Sequence, residues 1–339
     1  MTTTYAPTNF TLDRPGVLRL VVGYAAILGT LPYLALKGAW LSGSHIGVID
    51  RSLFEGTSVY VLNTVTAGMD LVAIVVALAF THSWGLRVPA WLVLVPIWVG
   101  TGLLAPIALA MPVAGIGSVV AAGGEDAATT TNTFLEPWVQ PMVYSGFAWQ
   151  GVALIVAFVL YARTRWASVF TSRTADVVRG ATHSVQVVLA NGAAVLAFGV
   201  AAVHLVRAFG GTLGLSADAI AARTWSAYVV EGISGLMALA AAVGILAVVH
   251  GRGRERFWVP LAVTWLGAGA MFAWGLWGTV NVLASSALVR GGDPQPIAHL
   301  HDLAKVLAGL VIGLTALMVL AEQRAKSVAQ LPGLRVGRS

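Results

Sequence analysis

The chain has 339 residues, of which 58% are hydrophobic and only 10% charged, and its mean hydropathy is +0.82. Soluble domains carry about 25% charged residues, so a water-facing globule is excluded and an all-α polytopic membrane protein is expected. The net charge of +6 fits Arg-rich loops on one side of a bilayer, with no need of a nucleic-acid partner. The absence of cysteine removes disulfides, thiolate metal sites and redox thiols.

Eight apolar stretches are long enough to cross roughly 30 Å of hydrocarbon, which takes about 20 residues of helix. They fall at about 17–40, 58–81, 88–112, 139–162, 184–208, 226–250, 257–283 and 299–322. The first is too long for the apolar core of a signal peptide, so it reads as an uncleaved helix. Fourteen of the twenty Lys and Arg residues, among them Arg19, Arg87, Arg163, Arg165, Arg173, Arg179, Arg252, Arg254 and Arg256, fall on the side that holds both ends of the chain. The opposite side keeps Lys37, Arg51, Arg207, Arg223, Arg290 and Lys305, with Glu125, Asp126 and Glu136. The asymmetry predicts that both termini are cytoplasmic, and the Ala-, Val- and Gly-rich composition with Arg over Lys looks bacterial, so a cytoplasmic (inner) membrane location is expected.

The two halves of the chain echo each other. A shift of 167 positions places Lys37 on His204, Trp40 on Arg207, Gly43 on Gly210, Gly47 on Gly214, Thr57 on Thr224 and Gly68 on Gly235. An even number of spans per half makes the repeat parallel, about an axis along the membrane normal. The expected organisation is a first four-helix half at 1–168, a cytoplasmic connector at 169–181, a second four-helix half at 182–323 and a basic tail at 324–339. A solvated outer loop is expected from about 112 to 137, on account of its Gly, Thr and acidic residues.

Ionisable groups at bilayer depth are costly unless paired or hydrated, so they mark candidate sites. Asp70 lies near the middle of the second span and Glu231 about a turn and a half into the sixth. Lys37, His204 and Arg207 near the ends of odd spans, and His299, His301, Asp302 and Lys305 at the start of the eighth, lie on the same outer side. Lys37, Arg207 and Lys305 are the natural balance for Asp70, Glu231 and Asp302. Two readings follow: an outward-opening polar pocket between the halves, or interior ion pairs with Lys37 and Lys305 snorkelling to the interface. If the chain is an enzyme, Glu231, His204 and Asp70 are the candidate acid–base groups.

Other chemistry is sparsely supported. A haem on His204 opposite His299 or His301, and a metal ion on His299, His301 and Asp302, are permitted by residue type, but the expectation is no metal and no cofactor. No His-Glu-x-x-His, Gly-x-Ser-x-Gly or Walker-type loop occurs. The glycines after each odd helix read as C-caps more readily than as re-entrant turns. Trp274 and Trp277 share a face with Asn281 and read chiefly as packing.

The segment from His204 to Leu215, His-Leu-Val-Arg-Ala-Phe-Gly-Gly-Thr-Leu-Gly-Leu, resembles the His-x-x-Trp-Ala-x-Gly-Gly-x-x-Gly pattern of small four-helix bacterial membrane proteins of uncharacterised function. Arg207 stands in the place of their Trp, and in the twin segment Lys37 stands in the place of the His while Trp40 is kept. The resemblance implies a duplicated four-helix unit and transfers no activity. The sequence thus favours a protein that binds or transports a small or amphipathic molecule. The alternatives are an acid–base enzyme acting on a lipid-soluble substrate, or a non-catalytic subunit that docks on a membrane protein partner.

Overall fold

The computed structural model describes residues 16–51, 57–121, 135–177, 179–288 and 296–329. Glu125, Asp126 and Arg290 lie outside them. Eight long helices are α1 (Val17–Leu41), α2 (Thr57–Thr81), α3 (Ala90–Ala121), α4 (Val139–Arg165), α6 (His183–Ala208), α8 (Trp225–His250), α9 (Trp258–Leu288) and α10 (Pro296–Ala329). Two short helices, α5 (Ala167–Thr171) and α7 (Ala217–Ala221), lie in connections. All eight are long and apolar enough to cross a membrane, and a helix satisfies its own backbone polar groups, as a bilayer core requires.

Helices overrun the expected spans in three places. α3 continues past Pro112 to Ala121, so the first part of the expected outer loop is helical. The reason is composition: residues 113–121 are apolar or small, and helical membrane segments tolerate proline where neighbouring groups compensate. α9 reaches Leu288 and α10 reaches Ala329, the latter into the segment expected as a tail.

Within the first half, α1 packs on α2 and α4, and α3 on α4 and α2; within the second, α6 packs on α8 and α10, and α9 on α10 and α8. The ends of α1 and α6 are also built alike. After α1, Gly43 takes φ +89°, with Gly43 N–H donating to Trp40 O at 3.1 Å and Ser44 N–H to Ala39 O at 2.9 Å. After α6, Gly210 takes φ +98°, with Gly210 N–H donating to Arg207 O at 3.1 Å and Gly211 N–H to Val206 O at 2.8 Å. Both are the paired bonds that close a helix over a left-handed residue, a position glycine fills without steric cost. The glycines are C-caps, and each partner lies 167 positions from its counterpart.

The halves meet where α3 lies against α9 and α8. Trp98 Nε1 donates to Trp265 O at 3.1 Å, and Trp265 Nε1 donates to Thr101 Oγ1 at 3.2 Å. One turn further along, Gly102 comes so close to Gly269 that a Cβ added at Gly102 would lie 2.3 Å from the Gly269 carbonyl. Contacts at 98 with 265 and at 102 with 269 require α3 and α9 to run in the same direction. The seam is aromatic: Trp98 stacks on Phe272 (centroids 5.0 Å apart) and Trp265 on Phe158 (5.5 Å). Close backbone approach at small residues is how helices associate where no water is present to drive them together.

Candidate functional site

The ionisable residues collect in two sets, one per half, at the end of the bundle where α1 and α6 finish. In the first half Lys37 Nζ donates to Asp70 Oδ2 at 2.8 Å, with side chains 1% and 9% exposed. The ammonium also lies 3.7 Å from the centre of the Tyr33 ring, an attraction that strengthens when water is excluded. Lys37 therefore does not snorkel; it reaches across to α2 and is sealed there.

In the second half, α6, α8 and α10 converge. His204 Nδ1 lies 2.6 Å from Glu231 Oε2, and His204 Nε2 lies 3.2 Å from His301 Nε2. Arg207 Nη1 approaches Glu231 Oε1 at 3.7 Å, while its Nε donates to Leu213 O at 2.8 Å. Arg223 steadies the turn below by donating to Gly211 O at 2.9 Å and Arg207 O at 2.5 Å. Beside this set on α10, Lys305 Nζ donates to Asp302 Oδ1 at 2.9 Å, and the Asp302 carboxylate lies over Gly278 of α9. The second set is more open than the first: the His204 and Glu231 side chains are 10% and 19% exposed.

The bonding of this chain fixes what it can do. A carboxylate only accepts, so with Glu231 ionised His204 carries its proton on Nδ1. His204 Nε2 is then a lone pair that accepts from His301 Nε2–H. A second proton on His204 reverses that last bond and leaves an imidazolium facing the Glu231 carboxylate.

Asp70 and Glu231 belong to separate sets. His299 does not join the chain, because residues two apart do not share a helix face. Among the described residues no group of three His, Asp or Glu is arranged to hold a metal ion; Asp302 is turned to Lys305 and His301 to His204. The haem reading on His204 and His301 does not fit this arrangement, since two imidazole nitrogens 3.2 Å apart and bonded to each other leave no space for a porphyrin between them. The space between the halves also differs from the expected polar, outward cleft. A cavity of about 660 Å³ lies there, but it is apolar and at the opposite, Arg-rich end.

That Arg-rich end contains anchors that residue type alone did not signal. Arg19 is buried, donates to Phe80 O and lies 5.3 Å from the Tyr161 ring centre. Arg165 donates to Val88 O at 2.6 Å, to Gly85 O at 3.2 Å and to the Tyr161 hydroxyl, which itself donates to Gly85 O at 2.8 Å. In the second half Glu322 accepts from Gly180 N–H (3.1 Å), Thr182 N–H (2.9 Å) and the Thr182 hydroxyl (2.7 Å), capping the start of α6. Counting Lys and Arg sidedness marks the arginines as charges of a loop and cannot show which of them turn inward.

No family model, curated protein or solved structure matches the chain. Eight apolar helices define an integral, multi-pass membrane protein in contact with the lipid bilayer.

Proposed function

We propose that this protein is a duplicated four-helix membrane unit whose second half binds a small polar or amphipathic molecule at its outer end, through His204, Glu231, His301 and Arg207, with proton exchange at the histidine pair. Glu231 hydrogen-bonded to His204, and His204 to His301, in a partly open setting is the observation that carries this reading. The matching helix pairs, C-caps and seam residues at a spacing of 167 support the duplication. The Lys37–Asp70 pair of the first half, sealed from water, serves to hold α1 to α2. With the termini in the cytoplasm, the site faces the outer side.

The acid–base enzyme is the second reading, favoured by the 2.6 Å contact that orients His204 on Glu231, as a carboxylate orients a general base. It stands behind binding because the outward nitrogen of His204 is already engaged by His301.

The test is the small-molecule content of protein extracted directly into lipid nanodiscs, read by mass spectrometry. Wild type is expected to retain a small molecule near one per chain that Glu231→Gln and His301→Ala both lose and the double variant Lys37→Met with Asp70→Leu keeps. Identical content in wild type and Glu231→Gln overturns the proposal. Chemical conversion of the retained molecule by wild type, lost with His204→Gln, moves the reading to the enzyme.

A further inference from the structure

The cavity between the halves has a shape and a charge setting that specify an occupant. Its volume of about 660 Å³ falls within the roughly 300–1,000 Å³ of small-molecule sites. Along α3 it runs from Trp91 to Thr101, about 15 Å at the helical rise, which is one leaflet of a hydrocarbon core about 30 Å thick. The walls are aromatic and aliphatic: Leu94, Phe158, Leu261, Trp265 and Leu317 face it from four helices. Its deep end presents nothing polar to a guest, since the Thr101 hydroxyl is bonded to Ile97 O and to the Trp265 indole. Trp91 and Val95, at 64% and 51% exposure, form a lateral rim, so a guest enters sideways from the bilayer.

The mouth is cationic. Phe170 and Trp166 line it, with the Arg163 guanidinium 5.7 Å from the Phe170 ring centre and that of Arg165 5.2 Å from the Trp166 ring centre. Arg165 is committed to the carbonyls of Gly85 and Val88, but Arg163 is exposed. Arg173 and Arg256 are bridged backbone to backbone, and both are exposed. Arg256 immediately precedes Phe257, a buried residue of the cavity wall. Arginines beside a membrane surface attract anionic headgroups and pair with phosphate through a planar fork of donors.

We propose that this cavity holds one acyl chain of an anionic phospholipid drawn from the leaflet on the Arg-rich side, with the headgroup phosphate held by Arg163 and Arg256. An apolar slot one leaflet deep, open to the side and ending at exposed arginines, fits that molecule along its whole length. The site is independent of the His204–Glu231 chain, which lies at the other end of the bundle.

The experiment is competition in native mass spectrometry. Delipidated full-length protein is mixed with equal amounts of dioleoyl phosphatidylglycerol and dioleoyl phosphatidylcholine. Wild type is expected to hold one phosphatidylglycerol per chain with a several-fold preference. Arg163→Gln with Arg256→Gln is expected to bring the two lipids to parity while a chain is still retained. Ala262→Phe, which puts a ring into the slot, is expected to lose the retained lipid of either kind. A wild type without headgroup preference, a double arginine variant that keeps the preference, or an Ala262→Phe protein that holds lipid as wild type does would each overturn the proposal. Both arginines are exposed, so their variant keeps the fold and decides the question even where Ala262→Phe disturbs packing.

Discussion

Lys37 and His204 occupy equivalent places, 167 positions apart near the ends of α1 and α6, and each is bonded to an acid on the next long helix. What differs is depth and access. Asp70 lies thirteen residues into α2 and Glu231 six into α8, about 20 Å and 9 Å along their helices at 1.5 Å per residue. In the first half the resulting pair is closed over by protein. In the second the pair stays partly open and gains a third member, His301. One position in two halves thus carries a closed ion pair in one and a partly open hydrogen-bonded chain in the other.

That contrast predicts unequal costs for equivalent changes. Asp70→Asn strands the Lys37 ammonium in a dry setting, and breaking such a pair costs about 3–5 kcal/mol. Replacing both partners, Lys37→Met with Asp70→Leu, should recover most of that loss. Reversible unfolding in mixed micelles reads both, and a double variant as unstable as Asp70→Asn would show that the pair acts through something besides its charges. Glu231→Gln keeps a hydrogen-bonding partner for His204 but removes the carboxylate facing Arg207, and should cost about 1.5–3 kcal/mol while removing the bound small molecule. At the seam, Gly102→Val drives methyl groups into the Gly269 backbone, and overpacking of this kind costs about 1–3 kcal/mol. The two seam tryptophans should behave alike: Trp98→Phe and Trp265→Phe each remove one hydrogen bond, worth about 1 kcal/mol. Unequal losses there would mean that the halves differ at the seam as well.

The spans were legible because a run of about 20 apolar residues has few other uses, and the likeness of the ends of α1 and α6 was legible because their capping glycines sit at matching positions. The ionisable residues at bilayer depth were also legible, since any charge there has to be explained. Their pairing was only partly so. Lys37 with Asp70, Arg207 with Glu231 and Lys305 with Asp302 follow from sign and side of the membrane. Sequence does not show that Lys37 is sealed, or that His301 and not His299 turns to His204, because helix phase against a neighbour decides both. Arg19 and Arg165 were visible only as charges of the Arg-rich side, and the burial of Arg19 and half-burial of Arg165 depend on Phe80, Gly85 and Val88 offering carbonyls. The apolar cavity left no trace in the sequence, because the same Leu, Phe and Trp residues fill a core elsewhere in the chain.

The most direct measurement is a high-resolution density map of the protein in lipid nanodiscs, inspected at the ends of α1 and α6. The account predicts non-protein density against His301 and Glu231 in the second half and none around Lys37 and Asp70 in the first. A second-half chain as closed and empty as the Lys37–Asp70 pair, with Arg207 and both histidines bonded only to protein, would contradict it.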